Sequence, residues 1–310
     1  MAEMRPVAKD LYHVGMAIVL VLAILGLLTW SGIISCRDVP GFCSVYYAIK
    51  GPPKTLVVFG ETGLGDPLLL ANELRNRSGA AATNISQQDI EFVSAGNLKQ
   101  FDLVVVTRAR KIPTKTLQAF MEYVDGGGRL VWTGDAGVEL SREDQFLYAN
   151  DVDANAPHRL ISPWARKDVK EQVAVRFDRY ISVNYINNYC NVRTCLSQQQ
   201  VGPLVPEAGA DHKLIYGIAN NLKLYGDFAL VEDQGIGSTR VRSVDTQTNL
   251  IATNACDNNS TRDIGRVFPI LVTSGIGEKI IYYAVPPEIL AQPPMEYKLF
   301  VENLYDGILR

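Results

Sequence analysis

Three continuous apolar runs stand out in the first half of the chain, each bounded by polar residues or glycine. They cover residues 55–59 (TLVVF), 102–107 (DLVVVT) and 129–133 (RLVWT), and a weaker run covers residues 91–93. Short apolar runs of this kind are typical of strands that are buried on both faces of a parallel sheet. Four strands are therefore predicted between residues 54 and 133.

Helical patterns separate these predicted strands. Asp66 is placed to be the N-cap of a helix and Pro67 its first residue, and apolar residues follow at helical spacing. A second helix is predicted after Pro113, and it ends at the three glycines of residues 126–128. Strands that alternate with helices form right-handed βαβ crossovers. The sequence therefore predicts an α/β fold with a doubly wound, mainly parallel sheet.

The second half of the chain has a looser pattern. Residues from about 138 to 210 are polar and rich in aromatic residues and asparagine, and they are interpreted as an insertion. Beyond them the patterns predict short strands near residues 228–231, 240–244 and 250–253, a hairpin of residues 268–273 and 279–284, and a terminal helix over residues 297–309. These strands predict antiparallel additions to the sheet.

A long uncharged segment precedes the α/β pattern. Residues 11–34 contain no Asp, Glu, Lys or Arg, and roughly 20 apolar residues are enough for a helix to cross a bilayer. A cleavable signal peptide has a shorter apolar region, so a retained signal anchor is predicted, with a buried core helix as the alternative. The predicted organisation is an N-terminal tail (1–10), a transmembrane helix (11–35), a stalk (36–53) and one α/β domain (54–310).

The cysteines give the predicted orientation, because basic residues on both sides of the span leave the positive-inside rule undecided. Cys36 and Cys43 form one close pair beyond the span, and Cys190 and Cys195 form a second. Local disulfides are predicted at both pairs, as in an oxidising compartment, while metal binding by the thiols is the alternative. The predicted localisation is the cell membrane, with a single pass, a cytoplasmic N-terminus and an extracytoplasmic C-terminal domain.

The sequons agree with that location, and the net charge bears on the class of partner. Asn-x-Ser/Thr sequons begin at Asn76, Asn84, Asn258 and Asn259, which are the candidate glycosylation sites. The net charge of -3 and the pI near 5.7 provide no strong positive field. No nucleic-acid partner is therefore predicted.

Three longer stretches carry a resemblance to a known family. They read FDLVVVTRARKIPTKTLQAFMEYVDGGGRLVWTGDAG, DHKLIYGIANNLKLYGDF and FPILVTSGIGEKIIYYAVPPE, in that order. Their order and spacing resemble the class I glutamine amidotransferase-like fold, especially its branch of trehalose-utilisation-type domains that are not amidotransferases. The resemblance covers most of the chain from about residue 54 onward, and it implies an amidotransferase-like or flavodoxin-like sheet.

The chain departs from the catalytic members of that family at two positions. Those members carry a nucleophilic Cys in a Gly-x-Cys-x-Gly elbow, whereas residues 133–137 here read TGDAG. They also carry a His in a His-Pro-Glu phrase, where this chain has Pro286 before Pro287 and Glu288. A thiolate formed by a neighbouring base is needed for that chemistry. Glutamine hydrolysis is therefore not expected.

Polar residues after the predicted strands form a candidate ligand site. Ligands of doubly wound sheets bind beyond the carboxyl ends of the strands. The candidate ligand-binding residues there are Glu61, Thr62, Asp66, Arg108 and Asp135, with Arg110 beside them. Such a cluster fits a polar ligand or a cation. The alternative is structural: Asp66 caps a helix, Asp135 shapes a turn, and the arginines pair with carboxylates or face solvent.

Two functional hypotheses follow from the sequence. The first is a membrane-anchored interaction or assembly module built on a catalytically inactive amidotransferase-like domain, with the membrane lipid and other membrane or surface proteins as its partners. The second is a ligand-sensing or metal-dependent hydrolytic domain that uses the carboxylates at the sheet edge. No cofactor, no catalytic residue and no dedicated metal site are predicted, so the sequence favours a non-enzyme.

Overall fold

The chain forms two compact units in a computed structural model, which describes residues 4–30, 42–77, 84–151, 162–195, 199–207, 212–247, 249–254 and 257–309. The first unit is Met1–Gly51 and the second is Pro52–Leu309. The predicted Cys36–Cys43 disulfide lies outside the described residues, because Cys36 is among those left out.

The first unit contains two helices, α1 (Met4–Trp30) and α2 (Phe42–Lys50). Within α1, the 20-residue stretch Asp10–Thr29 is long enough and, with a mean hydropathy of 2.5, apolar enough to cross a bilayer. A signal sequence near an N-terminus has the same length and composition. The apolar helix is therefore established, and its role as an anchor belongs to the functional proposal.

The second unit contains a large sheet, several small sheets and short helices. Its helices are α3 (Pro67–Arg77), α4 (Ala95–Leu98), α5 (Thr114–Asp125), α6 (Phe177–Ile181), α7 (Tyr189–Val192), α8 (Pro287–Leu290) and α9 (Leu299–Leu304), with 3₁₀ turns at Ile90–Phe92 and Asp144–Phe146 and a π-helical turn at Tyr305–Leu309. Its strands are β1 (Lys54–Phe59), β2 (Asn84–Asp89), β3 (Leu103–Thr107), β4 (Lys111–Ile112), β5 (Arg129–Thr133), β6 (Glu139–Leu140), β7 (Tyr148–Asp151), β8 (Ser162–Asp168), β9 (Val173–Arg176), β10 (Val183–Asn188), β11 (Gln200–Pro206), β12 (Leu222–Tyr225), β13 (Ala229–Asp233), β14 (Ser238–Val244), β15 (Leu250–Asn254), β16 (Asp257–Gly265), β17 (Val267–Ser274) and β18 (Ile280–Tyr283).

The large sheet has nine strands in the order β12-β11-β14-β17-β18-β5-β3-β1-β2. The five strands from β18 to β2 pair in parallel, and the four from β12 to β17 pair antiparallel. The parallel strands begin in register, since Thr55 pairs with Leu103 and Leu103 pairs with Arg129. The predicted α/β class and the antiparallel additions are confirmed.

The centre of the core lies where the apolar runs predicted. Residues 104–106 in β3 and 130–132 in β5 are fully buried, as expected for strands in the middle of a sheet that is packed on both faces. The strand predicted at residues 91–93 is wrong, since this stretch is the 3₁₀ turn Ile90–Phe92 and its cap. The strand is instead β2, a polar edge strand with the sequence NISQQD. An edge strand keeps contact with water, so it lacks the apolar run on which the prediction depended.

The predicted insertion is folded into the domain. It supplies a three-stranded sheet, β7-β8-β9, and the strand β10 that pairs with β13. Trp164, Tyr185 and Tyr189 are buried there, so these aromatic residues serve the core rather than an exposed surface. Arg166 is also fully buried, and its guanidinium donates to the carbonyl of Ile112 (2.8 Å) and to that of Gly137 (3.0 Å). These bonds fasten the insertion to the first half of the chain.

The structure describes one of the two predicted disulfides and the side chains of two of the four sequon asparagines. Cys190 and Cys195 form a disulfide with a Cα–Cα distance of 5.0 Å. The side chains of Asn76 and Asn84 are exposed, while those of Asn258 and Asn259 lie outside the described residues. Exposure permits glycosylation of an asparagine and does not show it.

Candidate functional site

The loops after β1, β3 and β5 meet at the carboxyl edge of the parallel strands. The loop of residues 60–65 runs along residues 108–110, because Arg108 N–H donates to Leu64 O (2.9 Å) and Arg110 N–H donates to Thr62 O (2.8 Å). Gly65 has a φ of +115°, and a Cβ there would lie 2.0 Å from Thr107 Oγ1. Only glycine permits both that conformation and this close approach. The glycine-rich loop therefore packs against protein backbone.

Asp135 lies at the centre of this edge, in the tight turn after β5. Tryptophan side chains brace the turn, since the indole N–H groups of Trp132 (3.0 Å) and Trp164 (2.8 Å) both donate to Ala136 O. Gly134 begins the turn with a φ of +55°. The Asp135 side chain is 1% exposed. The fold thus fixes a buried carboxylate in the tight turn after β5.

Both carboxylate oxygens of Asp135 are engaged. Leu64 N–H donates to Oδ1 at 2.7 Å, while the Arg110 guanidinium (2.6 Å) and the Asn188 amide (3.1 Å) donate to Oδ2. Arg110 also donates to Glu139 through Nε at 2.5 Å. Three donors from separate segments of the chain therefore hold this buried carboxylate in one orientation.

Electrostatics keep the cation of this pair charged. Burial lowers the pKa of Arg110, but the hydrogen bond to Glu139 and the nearby Tyr185 and Asp135 outweigh burial and raise that pKa overall. Burial and the charge of Asp135 raise the pKa of Asp227, although hydrogen bonds from the N–H groups of Cys190 and Phe228 oppose that shift. The negative charge of Asp135 thus also affects the pKa of Asp227.

A second buried carboxylate, Glu288, lies beside the first loop. Its Oε1 accepts hydrogen bonds from Thr107 Oγ1 (2.7 Å) and Asp66 N–H (3.0 Å). Its Oε2 is buried and has no hydrogen-bond partner among the described residues. Burial raises the pKa of Glu288 to about 7, although the hydrogen bonds from Thr107 and Asp66 oppose the shift. Glu288 therefore takes up a proton near neutral pH.

The structure gives the five predicted ligand residues different surroundings. Glu61 and Arg108 are exposed, Thr62 contributes its carbonyl to the loop contact, and Asp66 caps α3 by accepting from the N–H groups of Leu68 and Leu69 at 3.0 Å. Asp135 is joined instead to Arg110. Over the described ranges, no group of three or more His, Cys, Asp or Glu side chains is arranged to hold a metal ion. The structural interpretation therefore accounts for Asp66 and Asp135.

Sequence reasoning missed the partners that come from distant segments. Asn188 and Asp227 lie in or beyond the insertion, and no local motif marks them. Glu139 follows the glycine turn without a pattern of its own. Glu288 was visible as the last residue of the Pro-Pro-Glu phrase, but its burial against Thr107 depends on how β18 pairs with β5.

Comparisons with known proteins establish the fold. No protein-family model and no curated protein sequence matches the chain. Among solved structures, a ThuA-like protein from Bacteroides uniformis is similar at 12% identity and a TM-score of 0.51, covering 82% of this chain and 91% of its own. A cold-adapted β-galactosidase from Rahnella sp. R3 is similar at 12% identity and a TM-score of 0.52, covering 88% of this chain and 35% of its own.

These similarities define a class of fold. The chain has a mixed α/β fold of the amidotransferase-like kind, as the ThuA-like neighbour has. It spans 35% of the length of the galactosidase, so that enzyme's activity is not transferred to it. Identities this low show shared architecture, and function must come from the site.

Proposed function

We propose that this protein is a membrane-anchored module whose amidotransferase-like domain lies outside the cytoplasm and binds another membrane or surface protein. One observation carries the proposal. The elbow position holds a buried Asp135, and Arg110, Asn188 and Leu64 N–H already occupy its oxygens. These three donors occupy most of the lone-pair sites of the carboxylate, and the side chain is 1% exposed, so it is not open to a substrate or a metal. The domain is thus better suited to binding through its surface than to hydrolysis.

The proposed localisation depends on α1 and on the Cys190–Cys195 disulfide. The apolar stretch Asp10–Thr29 has the length that a bilayer requires, and lipid would cover its exposed side chains. The Cys190–Cys195 disulfide is of a kind that persists in oxidising compartments. Together they support a single pass with the C-terminal domain on the extracytoplasmic side.

The membrane topology of the chain tests the proposed localisation. The full chain is expressed in cells, membranes are washed with alkaline carbonate, and protease is added to intact cells or sealed vesicles. Retention in the membrane pellet, with the domain cleaved only from the extracytoplasmic side, is the expected result. Release of the chain by carbonate, or protection of the domain from protease added outside, would refute the proposed localisation.

The absence of hydrolysis and the presence of a partner need separate measurements. The purified full chain is expected to release no ammonia from glutamine, and Asp135→Asn is expected to leave that result unchanged. Crosslinking in native membranes followed by mass spectrometry should join the domain to one recurrent membrane or surface protein. Measurable glutaminase activity that is lost in Asp135→Asn would overturn the non-enzymatic assignment.

A ligand-sensing role is the second candidate, and an exposed arginine after β3 favours it. Arg108 is exposed, and its φ of +51° places a non-glycine residue in the left-handed region. Such backbone strain clusters at ligand sites. Small anionic metabolites should then raise the thermal stability of the full chain, and Arg108→Ala should abolish the shift. Arg179→Ala, an exposed arginine on α6, is the matched control.

A further inference from the structure

Two turns of the domain carry the same three residues and present the same side chain. Residues 235–237, before β14, and residues 275–277, between β17 and β18, both read Gly-Ile-Gly. Ile236 is 60% exposed and Ile276 is 94% exposed. Large apolar side chains at the tips of two turns cannot stabilise the fold through burial, so their exposure calls for an explanation outside the domain.

The two turns are neighbours, and the fold holds them rigidly. Ser238, the first residue of β14, pairs with Thr273 near the end of β17. Gly237 N–H donates to Ser182 Oγ, and Arg240 from β14 forms an ion pair with Glu278 from the other turn. The two isoleucines therefore form one preorganised pair, which is called the isoleucine tips below.

The isoleucine tips lie at the edge of the large sheet where the parallel strands begin. The register runs from Ser274 opposite Ile280, through Ile280 opposite Leu130, to the first residues of β3 and β1. β1 is the strand that follows α1 and α2 in the chain. The edge with the tips is thus the edge at which the chain enters the domain from its apolar helix.

The acidic side chains beside the tips are already engaged. Asp233 accepts from Gly235 N–H at 2.7 Å and from the Thr239 hydroxyl. Glu278 accepts from His212 Nε2 at 2.7 Å, from Thr273 Oγ1 at 2.8 Å and from Arg240. The hydrogen bonds and the ion pair of these carboxylates lower the cost of desolvating them when the tips enter an apolar medium.

We propose that Ile236 and Ile276 insert into the headgroup–acyl boundary of the bilayer that holds α1, so that this edge of the domain rests on the membrane. The proposal depends on the membrane anchoring proposed above. Anchoring by α1 gives the entry edge of the sheet a high effective concentration at the bilayer. Two shallowly inserted isoleucines suffice under that condition, whereas the free domain would need a much larger apolar surface.

Depth-dependent fluorescence quenching tests the proposal in the full chain. A polarity-sensitive fluorescent amino acid replaces Ile276, the chain is reconstituted into lipid nanodiscs, and quenching by nitroxide-labelled lipids is compared with quenching by aqueous iodide. The matched control carries the same label at Phe146, which is 83% exposed in the Asp144–Phe146 turn near the carboxyl edge of the parallel strands. Quenching by the labelled lipid is expected to be several-fold stronger at position 276 than at position 146.

A second variant separates membrane contact from a folding defect. Ile236→Asp should weaken the lipid quenching of the label at position 276. Phe92→Asp, at a residue that is 73% exposed in the 3₁₀ turn after β2, should leave it unchanged. Because Ile236 is exposed, the unfolding temperature in detergent should match that of the unsubstituted chain.

Each other outcome decides against the proposal. Equal lipid quenching at positions 276 and 146, with both open to iodide, shows that the tips do not enter the bilayer. Shielding of position 276 in native membranes but not in nanodiscs assigns the tips to a partner protein. In both cases retention after a carbonate wash leaves the anchoring intact, whereas release by carbonate refutes the anchoring itself.

Discussion

Replacement of the buried Glu288 by glutamine should remove a pH-dependent loss of stability. Glu288→Gln keeps the size of the side chain and an oxygen that can accept from Thr107 and from Asp66 N–H. The amide nitrogen takes the place of Oε2, the oxygen that has no hydrogen-bond partner among the described residues. The substituted side chain is neutral at every pH, so the cost of ionising the buried group disappears.

The magnitude follows from the difference between the folded and unfolded pKa values. Burial raises the pKa of Glu288 from 4.5 to about 7. Because the folded pKa is the higher one, the stabilising contribution is full below pH 4.5 and is lost as the pH rises through about 7. Between pH 5 and pH 8 the native chain should lose about 2.5 kcal/mol from this group. For a domain of this size that corresponds to roughly 5–10 °C in Tm.

Unfolding followed by circular dichroism from pH 5 to pH 8 measures this effect. Other groups titrate in the same range, so the quantity of interest is the difference in unfolding free energy between Glu288→Gln and the native chain. That difference should grow in favour of the variant by about 2.5 kcal/mol across the range. Glu122→Gln, which removes an exposed carboxylate from α5, is the control. Parallel stability curves for the native chain and Glu288→Gln would refute the reasoning.

Two further substitutions test the packing around the site. Gly65→Ala should destabilise the domain by at least about 2 kcal/mol more than Gly226→Ala. Both glycines have a positive φ, but only at Gly65 would a Cβ meet another atom, Thr107 Oγ1 at 2.0 Å. Equal losses of unfolding free energy in urea titrations would contradict this. Arg166→Met should cost about 3–5 kcal/mol because it leaves Asp144 buried without its cation, and a loss below about 1 kcal/mol in the same titrations would show that the pair is not needed.

The central strands of the fold were predictable because their signal is local. β3 and β5 lie in the middle of the sheet, so every residue of each run must be apolar to be buried on both faces. The cap of α3 was predictable for the same reason, since Asp66 satisfies N–H groups two and three residues away. The edge strand β2 was not, because a strand that touches water has no such requirement.

The candidate site was predicted only as far as its loops. Asp135, Arg108 and the residues after β1 were placed at the correct edge, because the carboxyl ends of parallel strands must share one edge. The partners of Asp135 could not be found in this way. Asn188 is separated from it by 53 positions, and hydrogen bonds over that distance leave no periodic trace in the sequence.

The sequence by itself determined the α/β class, the apolar helix α1, the close pair Cys190 and Cys195, and the absence of a cysteine at residues 133–137 and of a histidine at position 286. Each of these depends on residue type and on short spacing, which are read directly along the chain. Only the tertiary structure decided that Arg110 and Asn188 donate hydrogen bonds to Asp135 and that the turns of Ile236 and Ile276 lie side by side at one edge of the sheet. These contacts depend on strand order, which is set by the free energy of burying the whole core rather than by any single segment.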